Sequence, residues 1–474
     1  MSFETKVKSL TSGLAKGWTG RLPAVLSSVS GALFSLGWGA PSWQPAKALN
    51  LGTVDIRPSL ESAWVRKLIA DDPAADAIVT GYLSGLSSGG YASDQQGVWV
   101  AAGAYPMAQH QGNVRRPAAS LTKIATTLAA LSNWGPQHQF ETLVGWQGEV
   151  ENGVVTGNLI VQGGNDPLFV WEEAIALANA LQQMGIRQVT GDLIVAGNFT
   201  MNFETSPAKS GLLLKQAFDA TEWNYAAQIA HQNMAPETPQ PTLQINGQVK
   251  VNSGGQASGW LVRHRSMPLV GILKAMNIYS NNAMAEQIAN TLGGPAAVAQ
   301  AAAVIADVAP DELSLINGSG LGEENQMSPR AAVAMLQAVQ TILQSVASSA
   351  SSAQPFTLSD IFPIVGADGG TVSDRTLPSN AVVKTGTLAV VSALAGAIPT
   401  QEKGIVWFSL INYGAGLDNL RSRQDQIVSA IEQQWGRAAE IPPELQTTVR
   451  IGQAPYEFGD SGRNQPLADS LAQN

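Results

Sequence analysis

The sequence predicts an α/β protein: an antiparallel sheet flanked by helices, interrupted by a strand-rich insertion. Three observations carry this. An apolar run from Leu121 to Leu131 keeps a helical period. Apolar runs between Asn380 and Tyr413, separated by turn residues, read as an antiparallel meander. Residues 146–265 are strand-rich and punctuated by glycine. The sheet-and-helix half is therefore assigned to residues 49–145 together with 266–437, and the insertion to residues 146–265. With 474 residues, 45% of them hydrophobic, the chain can bury two cores.

The N-terminus reads as an address. Lys6, Lys8, Lys16 and Arg21 precede an apolar stretch from Leu22 to Trp38, and Ala46-Lys47-Ala48 fits a small-x-small cleavage site. Pro23, Ser27, Ser28 and Ser30 break the stretch, which makes it a poor permanent span. Residues 1–48 are expected to be a signal peptide, with an uncleaved anchor as the alternative. Export to the periplasm or another extracytoplasmic cell-wall space follows, and membrane contact only through that segment. Losing its five cations and Glu4 moves the formal charge from −9 to −13, which suits neither nucleic acid nor an anionic membrane face. The chain has no cysteine, so disulfides and thiolate metal sites are excluded. Beyond Arg437 a segment rich in Pro, Gln and Asp reads as a polar tail over 438–474 of disordered character.

Ser120-Leu121-Thr122-Lys123 opens the apolar helix, and Gly135 lies just past its last turn. Ser120 thus falls in the first turn, near free backbone N–H groups and the positive dipole end. Residues three apart share a helix face, so the Lys123 amine rises beside the Ser120 hydroxyl. Desolvation and neighbouring cations would lower its pKa and suit it as a base. An ordinary capped helix would contain the same four residues.

Two further motifs follow in order. Ser280-Asn281-Asn282 separates a short helix or turn, Leu273 to Tyr279, from a second helical run beginning at Ala283. Serine and asparagine there serve as caps; they also suit a proton relay (Ser280) and a group that orients Lys123 and holds a substrate amide (Asn282). Lys384-Thr385-Gly386-Thr387 lies on the first strand of the meander. Lys384 supplies a cation and Thr385 a hydroxyl, while Gly386 lets a substrate backbone lie close against the strand. The N–H of Thr387, with that of Ser120, would form an oxyanion hole. The trio S-x-x-K, S-x-N and K-T-G is the pattern of active-site serine β-lactamases and penicillin-binding proteins.

The chain resembles the D-alanyl-D-alanine carboxypeptidase/endopeptidase family of low-molecular-mass penicillin-binding proteins, the group with an inserted domain. Besides the trio, the resemblance rests on Gly157 to Pro167, Gly191 to Val195, Ser266-Met267-Pro268-Leu269, Asn317-Gly318-Ser319-Gly320-Leu321 and Gly366 to Thr371. It implies a penicillin-binding-protein/β-lactamase-like catalytic domain, peptidoglycan stem peptides as substrate and β-lactams as covalent inhibitors, with no cofactor and no metal. It implies Ser120 as nucleophile, Lys123 as base, and Ser280 and Asn282 as relay and substrate holder. Lys384, Thr385 and Thr387 would receive the terminal carboxylate and the oxyanion. Ser120 to Ser280 spans 160 positions, shorter than in the family, with the shortfall between Trp223 and Thr242. One accessory subdomain is expected to be missing.

The rival classes are a serine β-lactamase and a non-catalytic peptidoglycan-binding or sensor protein. A β-lactamase calls for a deacylating glutamate in an E-x-x-x-N loop between the first two motifs, but Glu286 to Asn290 comes after Ser280 and reads as helix. Gly85-Leu86-Ser87-Ser88-Gly89 matches a nucleophile elbow yet is expected to be a flexible loop. His110, His138, His231 and His264 show no metal-ligand spacing and are expected mostly at the surface or in loops.

Overall fold

The computed structural model describes residues 72–251, 256–349 and 355–467. The N-terminal address therefore lies outside the described residues. One sheet has five antiparallel strands in the order Val382–Leu388, Val391–Thr400, Gly404–Tyr413, Gln96–Ala102, Tyr105–His110. Period-two alternation gives it two different faces. Leu394, Ile398, Val406 and Phe408 point into a core shared with the helices Pro73–Ser88 and Leu417–Trp435. Ala393, Ala395 and Ala397 face the other way, into the core of the helices Thr122–Trp134, Leu269–Tyr279 and Pro329–Ser349. Three alanines in alternation make that face low enough for buried helices to approach closely.

Thr122–Trp134 is buried from Thr122 through Leu131, so it is apolar all round rather than amphipathic. Two of its buried threonines find partners inside: the Thr126 hydroxyl donates to Gly318 O at 2.7 Å, and Thr127 Oγ1 accepts from Asn277 at 3.1 Å. Gly135 ends the helix at φ 79°.

The second sheet has eight strands, with Glu141–Glu151 and Val154–Gly164 as its long central hairpin. Leu193–Asn198 adds in parallel to Val154–Gly164, and Gly259–Arg265 adds antiparallel to Glu141–Glu151. Trp171–Gln183, Pro207–Phe218 and Tyr225–Asn233 cover it through Leu177, Leu214, Phe218 and Ala227. Between Trp223 and Thr242 the chain makes only the last of these helices and a proline-bearing turn.

Three expectations are corrected. The segment beyond Arg437 is packed over its described residues. Asn464–Pro466 pairs antiparallel with Gly259–Arg265, Leu445, Val449 and Tyr456 are buried, and Arg463 reaches Glu173 at 2.7 Å. Polar composition suggested a tail because those polar groups have partners far away in sequence. His264 is fully buried, with Nδ1 at 2.9 Å from Asn464 Oδ1, and desolvation holds its pKa down at about 4. Gly85 to Ser88 form the last turn of Pro73–Ser88 rather than a loop. Gly85 permits close approach there, since a Cβ would stand 2.6 Å from the Arg423 guanidinium.

Candidate active site

The three motifs meet at one end of the five-stranded sheet. Ala119–Leu121 form a 3₁₀ turn ahead of Thr122–Trp134, so Ser120 sits just before the α-helix and not within it. Ala119 has φ 48°, a left-handed conformation rare for alanine, and the surroundings hold it there. Ala118 N donates to Asn325 O at 2.8 Å. On the other side Gly320, at φ +87°, comes so close that a Cβ would lie 1.9 Å from Ala119 O. The loop containing Gly320 and the serine turn thus fit backbone to backbone.

Lys123 is fully buried and its Nζ has three neighbours: Ser120 Oγ at 3.1 Å, Asn282 Oδ1 at 2.7 Å and Ser319 O at 2.8 Å. Burial lowers its pKa to about 7, opposed by the Glu286 carboxylate. An amide oxygen and a backbone carbonyl can only accept. A neutral Lys123 therefore gives its two N–H bonds to Asn282 and Ser319, and its lone pair is left facing the Ser120 hydroxyl.

Ser280 is the C-terminal cap of Leu269–Tyr279, at φ 52° and ψ 40°, and Asn281 caps the next helix, Asn282–Thr291, by accepting from Met284 N. The two helices thus meet at a bend that carries Ser280 and Asn282. Gly366 to Thr371 brace it: Asp368 accepts from buried Lys274 at 2.5 Å, and the Thr371 hydroxyl donates to Ile278 O at 3.3 Å.

Lys384 is fully buried and donates to Ser280 Oγ and to Thr385 O, both at 2.9 Å. Burial, and then the nearby Lys123 charge, push its pKa well below the ordinary lysine range. It was expected as a standing cation; its burial works against that charge. The expected reason for Gly386 also changes. A Cβ there would point at Ala118 O (2.8 Å) and Ser120 N (3.1 Å), so the glycine admits the serine turn rather than a substrate.

Val382–Leu388 is an edge strand. Val383 N donates outward to Pro363 O at 3.0 Å, and N–H groups alternate in direction along a strand. The N–H groups of Thr385 and Thr387 therefore face the open edge. Ser120, Ser280, Asn282, Thr385 and Thr387 line a single cleft of about 1190 Å³, which extends past Arg375 and Arg421 along Leu417–Trp435.

Sequence reasoning assigned no role to Glu286. Its carboxylate accepts from Gly318 N (3.0 Å) and Ser319 N (3.1 Å), and so holds the carbonyl that contacts Lys123. Both oxygens are engaged away from the cleft, unlike a deacylating base. Its place one helical turn beyond Asn282 was the available signal. Among the described residues no group of three or more His, Cys, Asp or Glu could hold a metal ion.

Residues 84–207 and 215–434 match the D-Ala-D-Ala carboxypeptidase 3 (S13) family. The D-alanyl-D-alanine carboxypeptidase DacB of Haemophilus influenzae is 23% identical over 415 residues, covering 67% of this chain and 84% of its own. The fold is similar to the penicillin G acylated Bd3459 predatory endopeptidase of Bdellovibrio bacteriovorus, solved in complex with immunity protein Bd3460. That match has a TM-score of 0.63 and 20% identity, over 78% of this chain and 98% of that one. It is also similar to penicillin binding protein 4 (dacB) of H. influenzae, with a TM-score of 0.55 and 21% identity over 75% and 99% of the two chains. The family match spans well over half of the sequence: the chain belongs to the D-Ala-D-Ala carboxypeptidase 3 (S13) family and is a hydrolase of the serine-type carboxypeptidase class.

Proposed function

We propose that the protein cleaves peptidoglycan stem peptides after a D-alanine through an acyl-enzyme on Ser120, and that β-lactams trap it at the same atom. The observation that carries this reading is the Lys123 amine, 3.1 Å from Ser120 Oγ, with its other two neighbours able only to accept.

Neutral Lys123 takes the hydroxyl proton as Oγ attacks the carbonyl of the penultimate D-alanine. The N–H groups of Ser120 and Thr387 receive the oxyanion, a contribution of about 10²–10³-fold per donor in comparable sites. The open edge of Val382–Leu388 takes the extended substrate as an added strand. When the C–N bond breaks, the leaving amine collects a proton through Ser280, which Lys384 holds at 2.9 Å. Water then cleaves the ester. Membership of a cell-wall peptidase family and the basic, apolar N-terminus both support an extracytoplasmic site of action.

The experiment is covalent labelling with a fluorescent penicillin, alongside D-alanine release from a pentapeptide. The Ser120→Ala protein should do neither. Lys123→Ala should be slower by about 10²–10⁴-fold, the usual weight of a general base. Stable label on the Ser120→Ala protein would move the nucleophile elsewhere.

A further inference from the structure

We infer that Arg421 receives the free α-carboxylate of the leaving residue, and so selects substrates whose scissile bond is followed by a carboxylate. The inference deepens the reading of Ser120 as nucleophile and rests on it.

A carboxylate one residue beyond the scissile carbonyl needs a cation that faces the cleft, and three are candidates. Lys384 lies beneath the cleft, fully buried, and does not line it; two of its N–H bonds go to Ser280 Oγ and Thr385 O. Arg375 lines the cleft, but its guanidinium is matched to Asp425 at 2.9 and 2.7 Å and to Gln424 at 3.1 Å. Its charge is already neutralised by a buried partner.

Arg421 is different. It stands on the first turns of Leu417–Trp435, lines the same cleft as Ser120, and its side chain is 38% exposed. Its acidic neighbour Asp418 is 3.7 Å away and fully exposed, a screened contact of small energy. Arg421 Nη2 donates to Thr387 Oγ1 at 3.0 Å. A guanidinium has five donors, so most remain for a ligand. The bond to Thr387 has a second effect. With a lone pair of the hydroxyl occupied by Arg421, the Thr387 proton is free to turn toward the cleft as a donor. Thr387 is also the residue whose N–H faces the reacting carbonyl. An anion held between its hydroxyl and Arg421 therefore lies next to the scissile bond. The planar guanidinium fork matches a carboxylate bidentately.

The test compares an acyl-D-Ala-D-Ala peptide with its C-terminal amide, measuring kcat/KM for each with the wild-type, Arg421→Ala and Arg421→Lys proteins. The wild type should favour the carboxylate. Arg421→Ala should reduce that preference by about 10- to 100-fold, the weight of a hydrogen-bonded charge. Arg421→Lys should recover part of it, because charge remains while the fork is lost. The preference is a ratio within each variant, so partial misfolding cancels. An unchanged ratio in Arg421→Ala, or equal proportional losses on both peptides, overturns the inference. Wild-type protein inactive on both peptides would overturn the nucleophile reading, and the inference with it.

Discussion

Asn282 Oδ1 lies 2.7 Å from Lys123 Nζ, closer than the serine oxygen that the amine is proposed to deprotonate. This contact joins the second motif to the first, and it works only while the partner is an uncharged acceptor. Asn282→Asp would place a carboxylate there, which favours the ammonium form, and a close opposite charge typically moves a pKa by about 1–3 units. Penicillin acylation at pH 7 should fall by about 10-fold or more and recover at higher pH. An acid limb that stays in place would show that Asn282 does not set the state of Lys123.

The wild-type protein should show its own acid limb near pH 7. Burial lowers Lys123 to about 7, so the neutral base accumulates as pH rises through that value. Acylation should climb about tenfold per pH unit below it and level off above. The stability sign follows from the same shift. The unfolded chain carries an extra proton on this lysine between about 7 and the ordinary 10.5, so this group's contribution makes folding more favourable as pH rises across that window. Stopped-flow acylation and denaturant unfolding over a pH series measure the two effects.

Glu286 raises the pKa of Lys123 while holding the loop that Lys123 contacts. Glu286→Gln removes the charge and keeps the size. The acid limb should shift to lower pH, and the plateau should fall because one loop N–H loses its acceptor. A lower plateau with an unmoved limb would make Glu286 a purely structural clamp.

Gly320 should tolerate no side chain. Its φ is +87° and a Cβ would stand 1.9 Å from Ala119 O, so Gly320→Ala must displace the serine turn. The conformation alone costs roughly 1–3 kcal/mol. We expect a lower melting temperature together with a severe loss of penicillin labelling. Near-normal labelling would mean that the two loops part without moving Ser120.

Arg463 ties the C-terminal segment to the strand-rich half through Glu173, 2.7 Å away with both side chains buried. Breaking a buried pair on one side typically costs about 3–5 kcal/mol. Arg463→Ala should therefore lower the unfolding midpoint, with Glu173→Gln in the same background recovering part of it. No recovery would show that lost packing, not an orphaned carboxylate, causes the drop.

How much could be read in advance varied with the range of the interactions. The helix after Ser120, its stop at Gly135, the bend at Ser280 and the three-stranded meander were legible because period, caps and turn residues act within a few positions. The stretch Asn317-Gly318-Ser319-Gly320-Leu321 stands out as a motif, but the roles of its Gly318 and Ser319 backbones do not. Backbone atoms carry no side-chain signature, and their partners lie some two hundred positions away in the serine helix. His264 and the segment past Arg437 were misread for a related reason: polar composition describes exposure only when no distant partner is available.

The chemistry of the site was present in the order of residues, since a hydroxyl and an amine three apart on a helical turn must share a face. The state of that chemistry was decided by tertiary contacts. The pKa of Lys123 falls to about 7 because distant helices and a loop remove it from water. Lys384 lies beneath the cleft and Arg421 within it because helices cover the sheet from opposite faces and reach its edge strand from two sides. Desolvation and charge depend on all surrounding atoms, and no local pattern encodes where those atoms come to rest.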